Sequence, residues 1–291
     1  MEANFKNVSA VLNAPAPHMV GDGFRVHNFF PSGYKIKMSP FFMLDYNAKI
    51  NFSARNEPRG VGVHPHRGFE TVTIAYHGAV AHHDSAGNSG IIYPGDVQWM
   101  TAASGILHKE YHEEQFSKKG GDFQMVQLWI NLPAKDKMSQ PKYQDVKNSE
   151  MAKVELPNSA GVIEIIAGAY EGVQGSASTF SPLHLMNARL NKGGKALFSF
   201  PSNYNTGFVV IEGGLLINNH DVAVADQFVH FKNAGESIEV EALENSVILV
   251  LSGEPINEPI SQYGPFLMNT PEEIQQAISD YNQGKFGYLD E

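Results

Sequence analysis

Residues 71–95 read TVTIAYHGAVAHHDSAGNSGIIYPG, and this stretch decides the fold. It opens with Thr71–Tyr76, a run of β-branched and aromatic residues of the length of one strand. A turn signal follows at Gly87-Asn88, and a second short apolar run, Gly90–Tyr93, comes directly after it. The pattern predicts short strands joined by tight turns.

The second half of the chain repeats this rhythm. Gly207–Ile211 is followed by two glycines and then by Leu215–Asn218, and Ser246–Leu251 is a continuous apolar run of strand length. Gly78 in the first half and Gly213 in the second hold comparable places, which we interpret as hairpin turns. The sequence therefore predicts an all-β protein of two similar barrels or sandwiches.

Helical periodicity is convincing only near the end of the chain. Thr270 is placed as an N-cap with Pro271 at the first helical position, and Gly284 ends the segment. The boundary between the halves is expected in the polar stretch Ala134–Asn148. This divides the chain into two domains, 1–140 and 141–291, and the second carries the C-terminal helix.

Composition excludes several classes of protein. The 291 residues contain 21 Lys and Arg against 31 Asp and Glu, a net charge of −10, which disfavours direct binding to nucleic acid. There are no cysteines, so any metal must be bound by His and carboxylate. No secretory signal and no apolar run long enough to span a membrane is present, and we expect a cytoplasmic protein.

Two pairs of residues carry most of the functional information. His64 and His66 form one pair, and His108 and Glu110 form the other. Residues i and i+2 of a strand point to the same face, so two neighbouring strands can direct four ligands into one barrel. Two alternatives stay open from spacing alone: Glu70 shares the parity of the first pair, and His112 and Glu114 repeat the spacing of the second.

The other histidines and the tryptophans carry weaker signals. His82 and His83 precede Asp84-Ser85 and are predicted to lie in a solvated turn. The remaining residues of interest are expected to be structural, exposed or part of the core: His77, His184, His220, His230, Trp99 and Trp129.

The runs HPHRGFETVTIAY and DSAGNSGIIYPGDVQWMTAASGILHKE resemble the pirin family of the cupin superfamily. The ending GPFLMNTPEEIQQAISDYNQGKFG resembles the C-terminus of that family, and the segment 24–45, with SPFFMLD inside it, is similar to its opening strands. The resemblance covers nearly the whole chain. It implies two jelly-roll cupin barrels in tandem, followed by a short helix.

The resemblance also implies which residues bind the metal. Carried over residue by residue, the ligands are His64, His66, His108 and Glu110, with the carboxylate taken from the second pair. The usual His-Ser-Glu of the family reads His-Lys-Glu here, and the additional His-Glu-Glu at 112–114 is a departure from it. The matching place in the second half is Phe198–Pro201, which offers no ligand, so that barrel is expected to be metal-free.

Three imidazoles and one carboxylate leave open positions on a divalent metal. The resemblance favours Fe(II), while Mn, Co, Ni, Cu or Zn would suit the same donors. It implies a quercetin 2,3-dioxygenase that acts on a flavonol or similar small aromatic enediol with O₂. From its chemistry, the carboxylate of Glu110 is also the expected catalytic general base, which removes a phenolic proton when it swings off the metal. The alternative is a non-catalytic metal or redox sensor that acts through protein partners.

Overall fold

The computed structural model describes residues 4–30 and 38–291. The segment 24–45 is therefore described only in part, because residues 31–37 lie outside the described residues. In chain order the first half contains β1 (Val8–Asn13), β2 (His18–Val20), β3 (Phe24–Asn28), β4 (Phe41–Phe52), β5 (Gly60–His66), β6 (Phe69–His77), β7 (Val80–Asp84), β8 (Ser89–Ile92), β9 (Val97–Thr101), β10 (Ile106–His112), α1 (Glu114–Lys119), β11 (Gly121–Asn131), a 3₁₀ turn (Ala134–Asp136) and β12 (Lys142–Val146).

The second half is also built mainly of strands. It contains β13 (Ala152–Glu155), a 3₁₀ turn (Pro157–Ser159), β14 (Gly161–Ala167), β15 (Ala169–Tyr170), β16 (Val173–Gln174), β17 (Leu183–Leu190), β18 (Lys195–Ser199), β19 (Asn205–Glu212), β20 (Gly214–Ile217), β21 (Asp221–Val224), β22 (Gln227–Phe231), β23 (Ser237–Ala242), β24 (Ser246–Gly253), β25 (Ser261–Tyr263), β26 (Phe266–Met268) and α2 (Pro271–Asn282).

The described residues divide into two units. The first barrel comprises 16–28, 41–147 and 256–291, and the second barrel comprises 4–15, 29–30, 38–40 and 148–255. Each unit contains one seven-stranded and one four-stranded antiparallel sheet. The strand orders of the first barrel are β12-β9-β6-β11-β4-β3-β2 and β5-β10-β7-β8, and those of the second are β1-β22-β19-β24-β17-β14-β13 and β18-β23-β20-β21. The predicted all-β fold of two similar barrels is confirmed.

Apolar side chains from both sheets meet inside each barrel. In the first barrel, Val26 and Met125 of the larger sheet pack in one cluster with Val80 and Ile92 of the smaller sheet. In the second barrel, the cluster includes Phe198 and Phe208, both fully buried. Burial of this apolar surface holds the two sheets of each barrel together.

Gly78 and Gly213 turn the chain between sheets, and the predicted hairpins are not formed there. Both glycines adopt a φ of +80°, which an L-residue rarely takes. In the first barrel the strand before Gly78, β6, pairs with β9 and β11, whereas the strand after it, β7, pairs with β8 and β10. Sequence reasoning identified the turn but assigned both strands to one sheet.

The N-terminal segment belongs to the second barrel and the C-terminal segment to the first, which differs from the predicted linear division at 140/141. β1 pairs with β22 in the second barrel. Helix α2, which begins with the predicted N-cap Thr270 in a capping box with Glu273, belongs to the first barrel instead of the second. There the guanidinium of Arg67 lies 2.9 Å from the carboxylate of Asp280, and both side chains are buried. In the described part of the chain, neither helix has the length and apolar character needed to cross a membrane.

Candidate metal centre

Two neighbouring strands of the smaller sheet bring three histidines together inside the first barrel. His64 and His66 lie on β5, and His108 lies on β10 directly opposite His64. All inward residues of β10 are buried, and those on the other face are half-buried. The predicted strand alternation therefore positions these imidazoles as expected.

The three rings converge closely enough to bind one ion. One nitrogen from each ring lies within 4.8 Å of the others. His64 Nδ1 lies 2.8 Å from the carbonyl oxygen of Gly62 and must donate to it, which leaves the Nε2 lone pair free. His66 Nδ1 and His108 Nε2 are buried and have no hydrogen-bond partner among the described residues. A metal ion would satisfy such buried nitrogens.

Glu110 follows His108 at the same face of β10, and two side chains fix its carboxylate. Thr73 of β6 donates to Oε1 at 3.2 Å, and Gln127 of β11 donates to Oε2 at 2.7 Å. The pairing of β10 with β5 shifts between His108 and Glu110, so that Glu110 lies opposite Val61. Such an irregularity redirects side chains near functional sites.

A small cavity adjoins these residues. Its volume is about 30 Å³, and it is lined by His64, Glu110, Gln127, Asp45 and apolar side chains of β2, β3, β5 and β11. Burial raises the pKa of Asp45 to about 6. Its Oδ1 is buried without a hydrogen-bond partner in the described structure. Sequence reasoning did not identify Asp45, because it lies in the apolar run FFMLDY and has no second His or carboxylate at i+2.

Burial also controls the charge of the histidine cluster. It lowers the pKa values of His66 and His108 well below the usual range, and repulsion from His64 lowers both further. Imidazole binds metal only in its neutral form, so these low pKa values favour coordination. The set of imidazoles and a carboxylate suits a divalent transition metal.

Glu70, the alternative carboxylate, lies away from this cluster. Its strand β6 directs Thr73 toward Glu110, and residues 70 and 73 lie on opposite faces of a strand. Glu70 Oε1 accepts a hydrogen bond of 2.7 Å from Thr101, and burial raises the pKa of Glu70 to about 7. The parity that links it to His66 is lost at Gly68, where the chain passes from one sheet to the other.

The additional His-Glu-Glu run has structural roles in this conformation. His112 Nε2 donates to the carbonyl oxygen of Gly23 at 2.8 Å, and the ring packs against Phe52 and Phe123. The Glu113 side chain caps helix α1, and Glu114 begins that helix. None of these side chains joins the histidine cluster.

The predicted solvated turn at His82 and His83 is wrong. Both residues lie in β7, where His82 is fully buried and faces His108, while His83 lies on the other face against Tyr111. His82, His108 and Glu110 form a second group whose ligand atoms lie within 4.8 Å of one another. The run Val-Ala-His-His-Asp at 80–84 does not alternate between apolar and polar residues, so periodicity did not indicate this strand.

Aromatic residues complete the wall of the site. Trp99 is buried, as predicted. Trp129 stacks on Phe69 at 4.1 Å, and its ring centroid lies 5.3 Å from that of His66, so it contacts the histidine cluster directly. In the second barrel, Phe198 and Phe200 lie in the apolar core.

Two antiparallel barrels in one chain, with clustered histidines inside the first, define a protein of the bicupin class. Within that class, family models identify the chain as a pirin. The Pirin model matches residues 23–130, and the Pirin C-terminal cupin domain matches residues 185–287. The chain therefore belongs to the pirin family.

Similar proteins extend over the whole length of the chain. A protein of Pseudomonas aeruginosa named "Putative quercetin 2,3-dioxygenase" is 46% identical over 282 residues, which cover 97% of this chain and 98% of that protein. Human pirin is 34% identical over 274 residues, with 92% and 90% covered. The crystal structure of quercetin 2,3-dioxygenase from Acinetobacter baumannii superposes with a TM-score of 0.92 at 44% identity, covering 98% of this chain and 99% of that one.

Proposed function

We propose that the first barrel is a metal-dependent dioxygenase site that cleaves quercetin or a similar flavonol with O₂. The observation that carries the proposal is the convergence of His64, His66 and His108 within 4.8 Å, with two buried nitrogens unpaired. Glu110, on the same face of β10, is the proposed fourth ligand. The names of the similar proteins in Pseudomonas and Acinetobacter support this substrate class.

Fe(II) is the metal that we propose. The donor set of three imidazoles and one carboxylate suits it, although Mn, Co, Ni, Cu and Zn would accept the same donors. A divalent ion held there would supply a positive centre with open positions for an ionised hydroxyl and dioxygen.

The protein itself supplies two carboxylates at the cavity. Glu110 can accept a proton from a substrate hydroxyl when it is not coordinated, and Thr73 and Gln127 donate hydrogen bonds to its two carboxylate oxygens. Asp45 faces the same cavity, and its pKa of about 6 leaves it largely ionised at neutral pH. A proton removed from the substrate therefore has two acceptors within one buried space.

The cavity of about 30 Å³ holds roughly one water molecule, whereas small-molecule sites are typically ten or more times larger. Its apolar wall includes Val20 of β2 and Phe24 and Val26 of β3. Strand β2 is the edge of its sheet and pairs only with β3, whereas the turn between them is held by hydrogen bonds between Asp22 and Gly60 and between His112 and Gly23. We propose that substrate enters by displacing the edge strand β2.

The test uses protein loaded with Fe(II), and then with each competing ion, in an oxygen electrode with quercetin. The proposal predicts coupled loss of quercetin absorbance and O₂, release of carbon monoxide, and no activity in His108→Ala. A fully metallated protein that consumes no O₂ above the free-metal control would refute the dioxygenase assignment. The non-catalytic sensor would then be the better interpretation.

A further inference from the structure

His82 and Asp84 form a buried pair directly behind the proposed ligands. Both lie on β7, and the register of this strand with β10 sets His82 opposite Glu110 and Asp84 opposite His108. Neither side chain is accessible to solvent. The pair therefore faces the metal centre from the strand that does not carry the proposed ligands.

His108, His82 and Asp84 form a row of polar side chains that leads away from the proposed metal centre. His108 Nδ1 lies 3.4 Å from His82 Nδ1, and His82 Nε2, which makes no hydrogen bond among the described residues, lies 3.6 Å from Asp84 Oδ2, within ion-pair distance. The ring of His82 also stacks on Tyr143 at a centroid distance of 5.4 Å, with 18° between the planes. Contacts on several sides thus define the orientation of the His82 ring.

Asp84 is held in place by the turn that follows it. Its Oδ1 accepts hydrogen bonds of 2.9 Å from the backbone N–H groups of Ala86 and Asn88, and its Oδ2 accepts one of 2.9 Å from the Asn88 side chain. Burial raises the pKa of Asp84, but the nearby His82 and the hydrogen bonds from Asn88 outweigh it and lower the pKa below its usual range. The carboxylate is therefore a fixed acceptor.

The tautomers follow from donor and acceptor chemistry. If His108 Nε2 binds a metal, the ring proton must lie on Nδ1, where it faces His82 Nδ1. The neutral His82 ring must then accept at Nδ1 and carry its own proton on Nε2. That proton faces Asp84, which can only accept.

We propose that His82 and Asp84 are positioning residues that fix the tautomer and the orientation of His108 for metal binding. This inference rests on the metal site proposed above. Outer partners of this kind typically change metal affinity by 10–100-fold. In the competing interpretation His82 is itself a ligand beside His108 and Glu110; its Nδ1 faces His108, and its buried Nε2 makes no hydrogen bond among the described residues.

Asp84→Asn tests the direction in which His108 and His82 donate their ring protons. The amide oxygen is expected to keep the two backbone hydrogen bonds, which places the new NH₂ group between His82 Nε2 and the side chain of Asn88, whose amide must turn its oxygen toward that group. His82 must then accept at Nε2 and donate from Nδ1, which forces the His108 proton onto Nε2. Long-range proton–nitrogen NMR correlations on the metal-free protein are expected to report this exchange, and Co(II) affinity is expected to fall roughly 10–100-fold.

Two further variants complete the experiment. His82→Gln can still accept from His108 and is expected to keep more Co(II) affinity than His82→Leu, which cannot. His83→Gln is the matched control, because His83 is the adjacent histidine on the opposite face of β7 and is expected to leave the His108 tautomer and the affinity unchanged.

The outcomes separate the possible failures. An Asp84→Asn protein with the wild-type His108 tautomer and wild-type Co(II) affinity would overturn the positioning role. Loss of one histidine from the Co(II) coordination sphere in His82→Gln would make His82 a ligand and would also overturn it. If the wild-type protein binds no ion, the metal site itself fails, and a His108 tautomer that does not respond to Asp84→Asn overturns the relay separately.

Discussion

Replacing Glu70 by glutamine separates the two candidate carboxylates and is expected to change the free energy of unfolding. Burial raises the pKa of Glu70 from 4.5 to about 7. Each pKa unit corresponds to about 1.36 kcal/mol, so this difference corresponds to about 3 kcal/mol in the free energy of unfolding. The variant Glu70→Gln keeps an oxygen for the hydrogen bond from Thr101 and cannot ionise.

The sign follows from the direction of the shift. A raised pKa means that folded Glu70 holds its proton more tightly than the unfolded chain does. Its stabilising contribution is complete below about pH 4.5 and is lost as the pH rises through about 7. We therefore expect Glu70→Gln to be more stable than the wild type by about 3 kcal/mol above about pH 7. The difference is expected to shrink toward zero below about pH 4.5.

The assay is urea unfolding of metal-free protein, followed by tryptophan fluorescence across this pH range. Both tryptophans of the chain, Trp99 and Trp129, lie in the first barrel, so the signal reports the unit that contains Glu70. Metal content is measured in parallel. Glu70→Gln is expected to bind metal as the wild type does, whereas Glu110→Gln is expected to lose most of its affinity. A pH-independent stability difference would refute the buried ionisable Glu70, and metal loss in Glu70→Gln alone would refute the assignment of Glu110.

Three other outcomes follow from the same structure. His112→Ala removes a buried ring and leaves the Gly23 carbonyl without its donor, so chemical denaturation should show a loss of about 3 kcal/mol while metal content per folded molecule is unchanged. Because burial lowers the pKa values of His66 and His108, acid should release the metal with a midpoint below about pH 6.5 in a chelator titration; retention down to about pH 4 would contradict histidine ligation. His184→Ala lies in the second barrel and should leave both metal content and O₂ uptake with quercetin unchanged; a loss of either would place part of the site there.

The strands and the three clustered histidines His64, His66 and His108 could be predicted because their signals are local. Glycine and proline turns separate short β-branched runs, and the i, i+2 spacing of His64 and His66 directly encodes a common face. Sheet membership has no such local signal. The chain changes sheets at Gly68 and Gly78, so the parity of Glu70 relative to His66 could not be carried across the turn.

Other features depend on contacts that are remote in sequence. His82 lies in a five-residue strand whose adjacent histidines look like a polar turn, and its role is visible only from its register with β10. The pairing of β1 with β22 and the contact of Arg67 with Asp280 join segments more than 200 residues apart, so the exchange of the chain ends could not be predicted.

The central claim is that one divalent ion binds between β5 and β10 of the first barrel. Anomalous diffraction from a crystal of Fe(II)-loaded protein tests it most directly. We predict a single strong peak about 2.0–2.2 Å from one nitrogen each of His64, His66 and His108 and from a Glu110 oxygen. A peak bound instead by His82 with His108 and Glu110, or one beside Glu70, would contradict the claim, as would a fully loaded crystal with no peak in this barrel.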